Sequence, residues 1–126
     1  MAHEANEAIL GRLIGANMNV TTDQPITINV ARYAVRRIVS CNPSTSLTLS
    51  AGGIYTAAAK GGVAIVAAAQ LWSALTGSTK FLDLTLAAIL GTDVRTEATL
   101  YLSLTTGQGA AATADIFIIG DALPAS

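Results

Sequence analysis

Ile26-Thr27-Ile28-Asn29-Val30 puts an apolar side chain at every second position and a small polar one between. Successive side chains of a strand point to opposite faces, so this run presents one face to a core and the other to its surroundings. The same period of two returns downstream. Leu82, Leu84 and Leu86 alternate with Asp83 and Thr85, and Leu100, Leu102 and Leu104 with Tyr101 and Ser103. Ile116 and Ile118 oppose Asp115 and Phe117 in a last strand before the tail from Asp121 to Ser126. The six leucines are predicted to face one another on two neighbouring inner strands.

The intervening sequence supplies more strands and their turns. In Tyr33 to Cys41, Tyr33 and Val35 set one register and Ile38 the other; a bulge at Arg36-Arg37 reconciles them and sends both guanidiniums outward. Asn42-Pro43-Ser44 ends that strand with turn chemistry. Leu47, Leu49 and Ala51 alternate with Thr48 and Ser50, and Gly52-Gly53 marks a bulge or close backbone approach before Ile54-Tyr55-Thr56. Lys60-Gly61-Gly62 reads as a hairpin turn with Val63 to Val66 as its return strand. From Ala67 to Leu75 the alanines favour helix and the neighbouring pattern favours a strand, the preferred reading. Gly91-Thr92-Asp93 makes a further turn. Seven or eight short strands without a long helix predict an all-β chain: an antiparallel β-sandwich, jelly-roll-like.

The opening differs. Ile9, Leu10, Leu13 and Ile14 recur at helical spacing, with Glu7 and Arg12 off the stripe, while Gly11 and Gly15 weaken a helix by roughly 1 kcal/mol each. A piece this short is marginal alone. The expected organisation is a short N-terminal arm, residues 1–17, and a sandwich domain, residues 18–126. The four apolar arm residues are the candidate partner-binding stripe; packing of the arm on its own domain is the alternative.

Composition bounds the chemistry. Among 126 residues only 12% are charged, against roughly a quarter in an ordinary soluble domain. Ala, Gly, Thr and Ser fill the remainder, a surface suited to being covered by copies of itself or a partner. A net charge of −1 gives no footprint for nucleic acid. The first residues carry Glu4 and Glu7 instead of a basic region, so no secretory signal is expected. The uncharged run Gly61 to Thr79 holds too many Gly, Ser and Thr for a spanning helix, and no membrane association is expected. Cys41 is the single cysteine, read as buried and inert.

No cofactor, metal site or catalytic residue is predicted. His3 is the only histidine and lies in the arm, and neither glycine pair opens a phosphate-binding helix. Asp93, Glu97, Asp115 and Asp121 could contribute to an interface calcium ion, but pairing with Arg32, Arg36 or Arg95 is the preferred reading. Arg32, Arg36 and Arg37 form the one basic cluster, a candidate contact for an acidic partner surface.

Leu13-Ile14-Gly15-Ala16-Asn17-Met18-Asn19, Tyr33 to Asn42, Gly52-Gly53-Ile54-Tyr55-Thr56-Ala57-Ala58, Lys60-Gly61-Gly62, Lys80 to Leu86 and Thr113 to Phe117 together resemble small virion structural proteins of tailed bacteriophages. The resemblance spans most of the chain and carries no catalytic motif. It implies a non-enzymatic component of the phage particle, assembled in the host cytoplasm, more on the head than the tail. The expected role is a homo-oligomer, a trimer ahead of other states, that decorates or cements a capsid through contacts with virion proteins. The alternative is a lectin-like binding module of a tail or host-recognition device; an enzyme ranks third.

Overall fold

The computed structural model describes residues 7–87 and 94–123. Eight strands follow one another: β1 (Glu7–Asn17), β2 (Gln24–Thr27), β3 (Tyr33–Cys41), β4 (Ala51–Ala57), β5 (Gly61–Val66), β6 (Phe81–Asp83), β7 (Thr99–Thr106) and β8 (Thr113–Ala122). They form two four-stranded antiparallel sheets, ordered β1-β8-β3-β6 and β2-β7-β4-β5. The all-β sandwich predicted from the period of two is the observed architecture. The ladders β1·β8, β2·β7, β3·β6 and β4·β5 are those of one long hairpin folded across two sheets.

Alternation decides which face goes in. On β7, Leu100, Leu102 and Leu104 are fully buried, and on β8 Ala114, Ile116 and Ile118 are. These two central strands belong to opposite sheets, so their inner rows meet across the core. Leu82 and Leu84 attach to β3 and lie in the other layer from the β7 leucines, whereas Leu86 bridges Val66 of β5 and joins the edge of the β7 sheet. Leu84 is buried, while Leu82 and Leu86 are partly buried against the core. The first leucine row is thus split between the layers, and Leu82 and Leu84 meet the β7 row through the sandwich instead of side by side within one sheet. Alternation cannot anticipate this correction because it gives faces and not layers.

The largest correction concerns the opening. From Glu7 the expected arm is strand β1, registered on β8 from Glu7↔Asp121 to Asn17↔Thr113 with two bulges. Each bulge adds a residue and resets the alternation. Two resets within eleven residues turn a strand pattern into apparent helical spacing. The chain thus has no structural boundary at residue 17, and Met18, whose amide donates to the Ala112 carbonyl at 2.8 Å, continues into the core.

Three other segments depart from expectation. Residues 43–50 form no strand; Leu47 is buried and Leu49 exposed, with Leu47 N donating to Leu75 O at 2.9 Å. Residues 67–75 are turns with an isolated bridge Ala51↔Leu71, shaped by Trp72, which is fully buried and donates from its indole to the Gly52 carbonyl at 3.2 Å. The hairpin turn sits slightly earlier than predicted, at Ala58–Lys60. Its Ala59 and Lys60 both have φ of 59° and Gly61 N donates to Ala58 O at 3.1 Å, the signature of a primed turn.

Candidate interaction surface

The sequence placed a bulge at Arg36-Arg37, and the β3·β8 register shifts there, between Val35 and Arg37. Both guanidiniums face outward and find carboxylates on neighbouring strands: Arg36 Nε lies 2.8 Å from Asp121 Oδ2, and Arg37 Nη2 lies 3.0 Å from Asp83 Oδ1. The bulge also explains Gly120. A Cβ there would run into the Ala34 carbonyl oxygen, so the extra β3 residue requires glycine opposite it. The basic strand is thus paired within its own sheet, which leaves little net charge to attract an acidic surface.

The stripe Ile9, Leu10, Leu13 and Ile14 is divided between the two faces of β1. Leu10 is fully buried and Leu13 packs on the core, while Ile9 and Ile14 are 55% and 58% exposed. The two outward residues join a larger feature that the sequence reading did not single out. Opposed residues in an antiparallel ladder share a face, so the registers assemble the outer surface of the β1-β8-β3-β6 sheet row by row. One row runs Ile9–Ile119–Arg37, the next Arg12–Phe117–Val39–Asp83, and the third brings Asp115, Cys41 and Phe81 together. An apolar band therefore crosses all four strands diagonally, framed by charged residues. Ile9 and Phe81 are exposed at its ends, Ile119, Phe117 and Cys41 are half-buried, and Val39 is covered by its own neighbours at 6% exposure. The signal was present in Phe117 and Ile119, which occupy outward positions where Thr or Asn would serve a solvated face.

Asp115, the acidic member of the third row, accepts from Gly15 N at 2.8 Å and Asn42 Nδ2 at 3.0 Å. Burial, with a smaller contribution from the Asp115 charge, pushes the Cys41 thiol above its ordinary pKa and keeps it protonated. At the far end of β3, Tyr33 and Arg95 exchange backbone hydrogen bonds, and the Tyr33 hydroxyl donates to the Glu97 carbonyl at 2.8 Å. Burial first, then the Glu97 charge, push the Tyr33 pKa up to about 12. Hydrogen bonding from Arg95, 2.7 Å away, lowers that of Glu97.

One polar cluster was not legible in the sequence. Lys60 Nζ donates to Ser103 Oγ at 2.8 Å, and Asp23 accepts from Ala59 N at 2.7 Å, a bond that, with one from Ser103, lowers the Asp23 pKa. A lysine beside a serine invites a nucleophile reading, but Ser103 is fully buried and offers no approach to a substrate. The cluster clamps the β4–β5 turn onto β2 and β7. A shallow apolar groove of about 400 Å³ lies between Ala67–Leu71 and Thr85–Ala87.

Among the described residues no three His, Cys, Asp or Glu side chains converge on a metal position. His3 and Asp93 lie outside the described residues. No helix among the described residues is long and apolar enough to cross a membrane. Of the six aromatic residues, Tyr33 and Trp72 are fully buried and Tyr55 nearly so, which removes them as platforms for a sugar. The chain matches no family model, no curated protein and no solved structure.

Proposed function

We propose that this protein is a non-enzymatic structural component of a bacteriophage particle that self-associates and decorates or cements the capsid. The observation that carries the reading is the apolar band on the outer face of the β1-β8-β3-β6 sheet. An isolated sandwich exposes alternating polar residues on its outer faces, whereas here Phe81, at 52% exposure, and Ile9, at 55%, flank Phe117 and Ile119. A chain with 12% charged residues also has little with which to keep such a face solvated. The resemblance to tailed-phage structural proteins supplies the setting, the virion. The strand order fits a jelly roll, an architecture used by capsid and lectin domains alike, so topology does not choose between them. The lectin-like alternative needs exposed aromatics, most of which lie in the interior or within the band.

Sedimentation equilibrium over a range of protein concentrations, followed by co-sedimentation with phage heads, tests the proposal. Reversible association and retention on heads are expected. A monomer at every concentration that leaves heads bare would overturn it.

A further inference from the structure

Resting on that reading, we infer that the occupant of the apolar band is a second copy of this chain, packed face to face about a two-fold axis running nearly along the strands. The row Arg12–Phe117–Val39–Asp83 places a cation at one end, an anion at the other and two apolar side chains between. A two-fold axis in the interface plane, passing between β8 and β3, reverses the order of the four strands. Arg12 of one copy then faces Asp83 of the other, at both ends, and the half-buried Phe117 lies over β3, where Val39 is already nearly covered by its own chain. In the adjoining row Phe81 on β6 reaches the β1 bulge of the second copy, where Ile14 is 58% exposed. The most exposed apolar residues at the two edges thus cover each other.

Charge argues for this occupant over an acidic or basic partner. Arg36 and Arg37 are already matched by Asp121 and Asp83. Arg12 is exposed and, among the described residues, has no carboxylate partner. A face that is neutral overall, with a cation and an anion at opposite ends of one row, is complementary to itself. Asp83, its side chain 54% exposed despite Arg37, has room for a second guanidinium. The angle of roughly 30° preferred by stacked sheets shifts the row ends by only a few ångströms, within the reach of an arginine.

Three strands about 30 Å long and the three-residue β6, about 10 Å, each about 4.8 Å wide, give a footprint of roughly 480 Å² per copy. Two copies bury on the order of 1,000 Å², at the lower bound for a biological interface and below the roughly 1,200–2,000 Å² of stable ones. The pairing is therefore weak and concentration-dependent, and it differs from the trimer expected from the sequence, whose threefold contacts would not require this row to match.

Charge reversal tests the geometry. Arg12→Asp alone sets Asp against Asp83 twice in a two-fold pair, and Asp83→Arg alone sets Arg against Arg12 twice. Each variant is expected to self-associate at least tenfold more weakly than wild type by sedimentation equilibrium. An equimolar mixture restores both contacts and should recover association to within about threefold of wild type, as 1:1 heterodimers by native mass spectrometry. Recovery on mixing cannot come from misfolded chains, so the mixture controls for folding damage. Variants that associate as tightly as wild type, or a mixture that stays monomeric, would overturn the inference while leaving self-association in place. A wild type that never associates would instead overturn the reading on which it rests.

Discussion

Leu10→Ala separates the two accounts of the opening residues in one measurement. If residues 1–17 were an arm waiting for a partner, Leu10 would contribute nothing to the isolated fold. In the structure it is fully buried, and its carbonyl accepts from Asn29 N at 2.8 Å, tying β1 to the end of β2. Truncating a buried leucine costs about 2–5 kcal/mol, through lost transfer free energy plus the cavity left behind. Domains of this size have about 5–15 kcal/mol in total, so the effect is a large fraction of the margin. Urea denaturation at concentrations below self-association should show the midpoint falling, with a loss of on the order of 10 °C in Tm. Ile14→Ala is the internal control. Only four positions away but 58% exposed, it should change the monomer by less than about 0.5 kcal/mol. A Leu10→Ala protein within about 0.5 kcal/mol of wild type would refute the strand assignment and restore the arm.

Ala59→Gly should stabilise the fold by about 0.5–1 kcal/mol in the same assay. The left-handed backbone at Ala59 costs a side-chain-bearing residue roughly 1–2 kcal/mol, more than the 0.4–1 kcal/mol of unfolded-state entropy that glycine adds; a loss would contradict the assigned turn. Gly120→Ala should destabilise by about 1–3 kcal/mol, because a Cβ there meets the Ala34 backbone, which cannot yield as a side chain would. The Glu97 pKa is depressed in the fold, so its contribution is present above the ordinary glutamate range and is lost as pH falls through the folded value. Glu97→Gln should therefore flatten the acid limb of a stability–pH profile, and an unchanged slope would deny the Arg95 pairing. Tyr33, raised to about 12, has the opposite sign. Its stability is complete below the ordinary tyrosine value and lost as pH climbs from about 10 toward 12, and Tyr33→Phe should remove that alkaline limb.

Where the period of two runs unbroken, strand positions and their buried faces were readable from residue order, because that period is a local property of the backbone. At 43–50 and 67–75 the same signal gave strands that the fold replaces with turns and loops. Tyr33–Cys41 begins and ends where the pattern said, and its bulge lies at Arg36-Arg37 because Val35 and Ile38 cannot otherwise both face inward. Leu100, Leu102 and Leu104 are buried as alternation requires. Pairing is another matter. That β7 lies between β2 and β4, and β8 between β1 and β3, depends on contacts between residues far apart in sequence, which no local period encodes. Two bulges concealed β1 by breaking its alternation at the spacing of a helix. The apolar band was hidden for the same reason: Ile9, Phe117, Val39 and Phe81 lie on four different strands and become neighbours only when register brings them together. Lys60, Ser103 and Asp23 likewise meet only because the β4–β5 turn folds back over β2 and β7. The sequence by itself determined the all-β class and the inward face of strands with unbroken alternation, such as β7 and β8, whereas tertiary structure decided which other segments became strands, who their neighbours are, and with them the surface available to a partner.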